Sequence, residues 1–278
     1  MKIGIVGLGL IGGSLGLDFR TANHQVYGMS RSAQTCQIAV QMGAADTAET
    51  DAQILSEVDV VFLCTPIGLL SPVLENIKPH LAADTIVTDV GSVKGDLVHT
   101  LEQQWSLFIG GHPMAGTSES GIKAAQSNLF QNRPYVLTPT HSSSEQAQQV
   151  MQGLIADLKS NLCIASPKHH DRAVSLISHL PILISANLIK TCGDIQNQDV
   201  ISLAQSLASS GFCDTSRVGG GNPELGRMVA EYNREELLRS IHLYEENLQE
   251  LKQIVEASNW ELLEQKLKKT HIERPGFL

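Results

Sequence analysis

A chain of 278 residues exceeds one average domain, and 42% hydrophobic against 18% charged residues suits an ordinary globular core. Twenty Lys and Arg against 29 Asp and Glu leave a formal net charge of −9, and no basic run is present. That balance excludes nucleic acid and anionic membrane surfaces as expected partners, although a single Arg can still bind a small anionic ligand.

Five scattered cysteines, without metal-ligand or redox-pair spacing, read as reduced thiols of a cytoplasmic protein. The N-terminus opens directly into a strand, so no signal peptide is expected, and no apolar run is expected to span a bilayer.

Up to residue 166 short apolar runs alternate with amphipathic stretches. Strands are predicted at 2–6, 25–29, 58–64, 85–89, 107–110, 135–138 and 162–165, and helices at 12–21, 34–42, 69–81, 118–128 and 144–158. Buried strands separated by helices predict a doubly wound, mostly parallel Rossmann sheet in a domain of residues 1–166. From 167 to 278 no further strand is expected, and helices are predicted at 168–191, 199–210 and 223–267. The last carries an apolar stripe (Leu237, Leu238, Ile241, Leu248, Leu251, Val255) that a small domain cannot cover alone. A homodimer through these all-α helices is the expectation.

Gly7-Leu8-Gly9-Leu10-Ile11-Gly12 follows the first strand and opens a helix. The glycines give a tight turn and close approach to a pyrophosphate, and the helix N-terminus offers free N–H groups. At the end of the second strand an acid would select NAD; here stand Ser30, Arg31 and Ser32, with Thr35 following. An Arg contact to a 2′-phosphate worth ~1.5–3 kcal/mol gives roughly 10- to 100-fold preference, so NADP is the expected cofactor. Cys64-Thr65-Pro66 and Gly91-Ser92 lie at further strand ends, where the ligand crevice of an open α/β sheet sits. No metal site is predicted.

His112 stands after two glycines and before Pro113, which holds it extended at the crevice. Its imidazole suits a base near neutrality. Ser92 is read either as a hydrogen-bond partner of the reacting group or as a helix N-cap. Lys94 reads as a solvated neighbour. In the helical half, His179 lies beside the helix-interrupting Pro181. Arg217 is placed in a loop, suited to a carboxylate, ahead of a helix start at Asn222-Pro223-Glu224. Arg227, Arg234 and Arg239 read as surface charges.

Together these segments resemble the prephenate/arogenate dehydrogenase family of tyrosine biosynthesis. The marks are the glycine-rich turn, Thr65-Pro66, Asp89-Val90-Gly91-Ser92-Val93-Lys94, Gly111-His112-Pro113-Met114-Ala115-Gly116-Thr117, Ser178-His179-Leu180-Pro181 and Asp214-Thr215-Ser216-Arg217. The resemblance implies oxidative decarboxylation of a cyclohexadienol: His112 takes the ring hydroxyl proton, Ser92 orients, Arg217 holds a carboxylate, and His179, Gly116 and Thr117 line the substrate pocket. It also implies a helical dimerisation domain.

The chain departs from the family pattern at Gly221-Asn222-Pro223 and Gly226, so a wider or differently gated substrate pocket is expected after Arg217. No room is expected for a fused mutase or regulatory domain, so any tyrosine feedback would act at the active site. Arogenate is favoured over prephenate because NADP users of the family often prefer it. Ser118, Glu119 and Asp214 lie near in sequence as neighbours for an ammonium. The rival readings are a β-hydroxyacid dehydrogenase or imine reductase, and a non-catalytic NADP sensor.

Overall fold

The structure, a computed structural model, describes residues 1–117 and 119–277. Its centre is one eight-stranded sheet of order β3-β2-β1-β4-β5-β6-β7-β8. The strands are β1 (Lys2–Val6), β2 (Gln25–Met29), β3 (Thr47–Glu49), β4 (Val60–Leu63), β5 (Ile86–Asp89), β6 (Phe108–Pro113), β7 (Pro134–Thr138) and β8 (Asn161–Ile164). All pairings are parallel except β6 with β7. The Rossmann expectation holds, with one strand more than predicted: β3 is three residues long and too polar to announce itself.

β1 and β4 are apolar at nearly every position because both sheet faces are covered. Ile3, Ile5, Val60 and Phe62 pack on one face with α1 (Leu10–Thr21) and α5 (Glu145–Asp157). Val6, Val61, Leu63 and Val87 pack on the other with α3 (Leu70–Ile77) and α4 (Gly95–Gln104). α2 (Ala33–Gln41) follows β2.

The predicted helix over 118–128 is replaced by irregular chain with one 3-10 turn, Ile122–Ala124, Ser118 itself lying outside the described residues. Side chains of α1 capture its backbone: Gln126 donates to Ser14 Oγ at 3.0 Å and Asn128 to Asp18 Oδ1 at 2.8 Å. Gly121 and Asn128 take positive φ.

After β8 the chain is helical, as expected. α6 (Pro167–Val174), a π turn (Ser175–His179) and α7 (Leu180–Gly193) run end to end. This 27-residue run is long and apolar enough to cross a membrane by length and composition, which corrects the sequence reading. Its interspersed His, Asp and Ser residues had divided it into shorter apolar pieces. His170, Asp171, Ser175, His179 and Ser185 among them are buried and hydrogen-bonded.

Then come α8 (Gln198–Leu207), α9 (Ser210–Ser216), a 3-10 turn (Arg217–Gly220), α10 (Pro223–Tyr232), α11 (Arg234–Glu256) and α12 (Trp260–Glu273). The single helix expected over 223–267 is therefore three. It breaks at Asn233, and again at Ser258, whose φ of 51° no helix accommodates.

Candidate active site

The carboxyl ends of β1, β4, β5 and β6 share one edge, and the sequence motifs converge there. At β1, Gly7 has φ +103°, and a Cβ on it would lie 2.6 Å from the Cys64 carbonyl oxygen. A Cβ on Gly12 would lie 2.1 Å from the Gly7 oxygen, whereas one on Gly9 meets nothing within 4 Å. The outer glycines thus make the turn, and the middle one leaves an open face. Helix α1 starts there with Gly9 as N-cap and no side-chain cap, so its N–H groups are free for an anion; Leu10 and Ile11 form its first turn. This cradle, beside the buried and unbonded Thr65 hydroxyl, fits a dinucleotide. Leu8 is buried under it. Burial and the nearby Asp89 push the Cys64 thiol up, which makes it a wall rather than a nucleophile. Pro66 leads into the next turn.

At β2 the amide of Ser30 is held by the Glu49 carbonyl, and Arg31 is exposed. Ser32 caps α2, its Oγ accepting from Thr35 N at 3.2 Å. Ser32 and Thr35 therefore serve the helix start, which is compatible with a ligand role for the Ser32 hydroxyl hydrogen.

His112 lies inside β6, not in a loop beyond it. β6 outruns β5: pairing with β5 ends at Ile109, and antiparallel β7 carries it on, with His112 opposite Val136. Past the end of β5 the Asp89 side chain takes over, accepting from Gly111 N at 3.1 Å and Gly91 N at 2.8 Å. Lys94 Nζ also bonds to Asp89, and both side chains are 0% exposed. The reading of Lys94 as solvated is thus wrong; burial lowers its pKa, opposed by the pairing with Asp89. Its five-residue offset from Asp89 gave no hint of a turn that folds it inward.

Ser92 is not a helix cap. The cap position of α4 is Lys94, with no side-chain cap of its own; Asp171 from α6 serves instead, accepting from Lys94 N at 2.8 Å and Gly95 N at 2.7 Å. The half-buried Ser92 hydroxyl is left for other partners.

Asp171 also receives His170 Nδ1 at 2.7 Å, and His170 Nε2 meets His112 Nδ1 at 2.8 Å. A carboxylate only accepts, so His170 carries its proton on Nδ1 and presents a bare Nε2. His112 must then be protonated at Nδ1, leaving Nε2 with a free lone pair. Among the described residues that nitrogen has no protein partner, yet it is not a sealed orphan. Burial, reinforced by His170, Lys94 and His179, holds the His112 pKa well below the usual imidazole range. The arrangement is a neutral base with its lone pair fixed in direction.

His179 ends the π turn that Pro181 forces by removing a helix N–H. It is 1% exposed, and burial lowers its pKa to about 4. Asn233 bridges it to Asp171, donating to the Asp171 carbonyl at 2.9 Å and meeting His179 Nδ1 at 3.1 Å.

Arg217 begins the 3-10 turn after α9, so it is not in a plain loop, and it is exposed. The helix start after it is as read, with Asn222 accepting from Glu224 N and Pro223 at the first position. Ser185 of α7 fastens this turn on both sides of Arg217: it donates to the Thr215 carbonyl at 2.8 Å and accepts from Gly219 N at 2.9 Å. Gly219 sits against α7 so closely that a Cβ would lie 2.2 Å from Ala186 N. Gly116 and Thr117 are exposed, Thr117 Oγ1 accepting from Glu119 N; no bond joins them or Arg217 to the His112 cluster among the described residues. Glu119 and Asp214 are likewise exposed.

Sequence reasoning missed His170, Asp171, Asp89, Asn233 and Ser185. The signal for the first two was present in the spacing: positions 167, 170, 171, 174 and 175 fall on the helical face that also carries His179, and the structure buries all of them.

Residues 15–164 match the family model described as prephenate dehydrogenase, nucleotide-binding domain, and residues 166–269 the one described as prephenate dehydrogenase, dimerization domain. The prephenate dehydrogenase of Bacillus subtilis is 29% identical over 281 residues, spanning 98% of this chain and 75% of that one. The crystal structure of Synechocystis arogenate dehydrogenase superposes with TM-score 0.91 at 46% identity over 100% of both chains. That of Aquifex aeolicus prephenate dehydrogenase, in complex with hydroxyphenyl propionate and NAD+, superposes with TM-score 0.93 at 28% identity over 100% of this chain and 98% of that one. With both halves matched and a Rossmann cradle for a nicotinamide cofactor, this chain is an oxidoreductase belonging to the prephenate/arogenate dehydrogenase family.

Proposed function

We propose that the protein converts L-arogenate to L-tyrosine by oxidative decarboxylation with NADP as hydride acceptor. The observation that carries the chemistry is the chain Asp171–His170–His112, which leaves Nε2 of the buried His112 as a neutral acceptor. His112 Nε2 takes the proton of the ring hydroxyl. The nicotinamide cofactor, when bound, accepts the hydride from the carbon bearing that hydroxyl. The bond from ring to carboxylate breaks, CO₂ leaves, and the electron pair completes the aromatic ring. The proton held on His112 returns to the phenolate oxygen. General base catalysis of this kind contributes roughly 10²- to 10⁴-fold.

Ser92 orients the hydroxyl or the base, and Arg217 holds a substrate carboxylate as a bidentate donor. His179, Gly116 and Thr117 line the substrate side. Gly7, Gly9 and Gly12 cradle the pyrophosphate, with Leu8, Leu10, Ile11, Cys64, Thr65, Pro66 and Gly91 around the cofactor. Arg31, with Ser30, Ser32 and Thr35, faces the 2′-phosphate. Exposure of Arg31, the lack of an acid at position 30, and 46% identity to an arogenate dehydrogenase support these choices. Likeness to prephenate dehydrogenases at 28–29% identity favours prephenate as the second reading. The active unit is a homodimer, and five free cysteines suit the cytoplasm.

The test is turnover of arogenate and prephenate, each with NADP⁺ and NAD⁺, followed by absorbance of the reduced nicotinamide. Arogenate with NADP⁺ is expected to dominate. Preference for prephenate overturns the substrate, efficient NAD⁺ use overturns the Arg31 reading, and no turnover in any combination overturns the reaction.

A further inference from the structure

We propose that Asn233 is a positioning residue that fixes His179 as a hydrogen-bond donor through Nε2, so that the cleft presents two imidazoles of opposite polarity, both anchored on Asp171. The Asp171 main-chain carbonyl can only accept, so the Asn233 atom 2.9 Å from it is the amide nitrogen. That nitrogen has no lone pair to offer. Its second hydrogen points to His179 Nδ1 at 3.1 Å, which must be bare. A neutral imidazole with a bare Nδ1 carries its proton on Nε2. His112 is the mirror case, protonated at Nδ1 through His170 and bare at Nε2. One residue thus sets both: the Asp171 carboxylate acts through His170, and its carbonyl acts through Asn233.

The opposition has chemical content. An acceptor is needed where a hydroxyl proton departs; a neutral donor suits an anionic substrate oxygen without competing for that proton. In the other tautomer His179 would turn a lone pair toward a carboxylate and repel it. As a cation it would drive the His112 pKa lower still. Asn233 lies at the break between α10 and α11 and is buried. Its neighbour Tyr232 reaches the Rossmann half at Gly68, where an added Cβ would lie 2.3 Å from the Tyr232 hydroxyl. The break therefore seats Asn233 beside the cleft instead of on an outer helix face. The use of the donor rests on the dehydrogenase reading above; the tautomer does not.

Long-range proton–nitrogen correlation spectra of full-length protein with ¹⁵N-histidine, assigned by the loss of signals in His179→Gln, read the tautomer directly. The wild-type protein should show His179 as the Nε2–H form and His112 as the Nδ1–H form near neutral pH. Asn233→Asp, which has the same shape but only acceptors, should invert His179 to Nδ1–H. It should raise the substrate KM about tenfold and leave the cofactor KM unchanged. An Nδ1–H form of His179 in the wild-type protein overturns the proposal without any variant. Retention of Nε2–H in both Asn233→Asp and Asn233→Ala overturns Asn233 as its cause. The expected spectra with no turnover of either cyclohexadienol would leave the tautomer assignment standing and overturn the reaction.

Discussion

The Asp171 carboxylate accepts the Lys94 amide hydrogen at 2.8 Å, so a residue of the helical half caps a helix of the Rossmann half. Together with the Gly95 amide and His170, this makes three N–H donors on one buried carboxylate. The joint between the halves and the alignment of the base are one structure. Asp171→Ala should cost about 1 kcal/mol for the lost cap, and a further ~1–3 kcal/mol for donors left unsatisfied. Asp171→Asn keeps most of the shape but cannot accept all three hydrogens; kcat should fall about 10- to 100-fold, less than loss of His112 itself. Denaturant melts and steady-state kinetics check both. An Asp171→Asn enzyme with wild-type kcat would show that His170 does not act through Asp171.

Acid should weaken this protein through its histidines. His112 and His179 are neutral in the fold because burial lowers their pKa, His179 to about 4. In the unfolded chain both titrate near the ordinary value of ~6.5. Above that pH neither state binds the proton and the histidines contribute no slope. Below it the unfolded state binds protons that the fold refuses, so stability falls with pH. The slope is about 1.4 kcal/mol per pH unit for each such histidine until its folded pKa is reached. Melting curves between pH 7 and pH 4 should show that fall, shallower in His179→Gln. For the same reason kcat/KM should hold well below pH 6.5 before protonation of the base cuts it. An acid limb centred at the ordinary imidazole value would contradict the depressed His112 pKa.

The sequence announces backbone-scale features more readily than contacts made across the chain. Seven of the strands were legible as short apolar runs, most plainly β1, β4, β5 and β6, which are buried on both faces. The exposed edge strand β8 showed only through Leu162, Cys163 and Ile164. The glycine-rich turn was legible because its spacing is local. His112 was found by its flanking glycines and proline, although its place within β6 was not. The strand extends there only because Asp89 and β7 hold it, and both contacts are distant in sequence. Lys94 was misjudged for the same reason: a lysine reads as solvated until its partner is known, and Asp89 is buried with it. His170, Asp171 and Asn233 act through one another across 62 residues, a relationship that no local pattern expresses.

The turn carrying Arg217 gives a test of substrate binding that leaves Arg217 itself intact. Ser185→Ala removes the hydroxyl bonded to both the Thr215 carbonyl and the Gly219 amide, and should cost about 1–3 kcal/mol of stability. Gly219→Ala forces the turn away from α7, since its Cβ would lie 2.2 Å from Ala186 N. Both should raise the substrate KM more than they lower kcat, with Gly219→Ala the more severe, while the cofactor KM stays put. Steady-state kinetics on folded protein reads this split. A wild-type substrate KM in Gly219→Ala would mean that the turn does not place Arg217 against substrate.

The helical half leaves much of its apolar surface bare. α8 buries none of its residues, and Val200, Leu203 and Leu207 stand exposed on it. On α11, Leu238, Leu248, Leu251 and Val255 are exposed while Leu237 is buried, so most of the stripe anticipated from the sequence faces outward. Monomers rarely expose contiguous apolar patches beyond a few hundred Å², and a second copy of the chain is the simplest cover. Sedimentation velocity should therefore give a dimer for the wild-type protein. Leu203→Glu combined with Leu207→Glu should shift it to monomer, because burying two carboxylates in an apolar interface costs more than the contact returns. A wild-type monomer would remove the dimer from the proposed active unit; an unaltered dimer in the double variant would move the interface off α8 and onto α11.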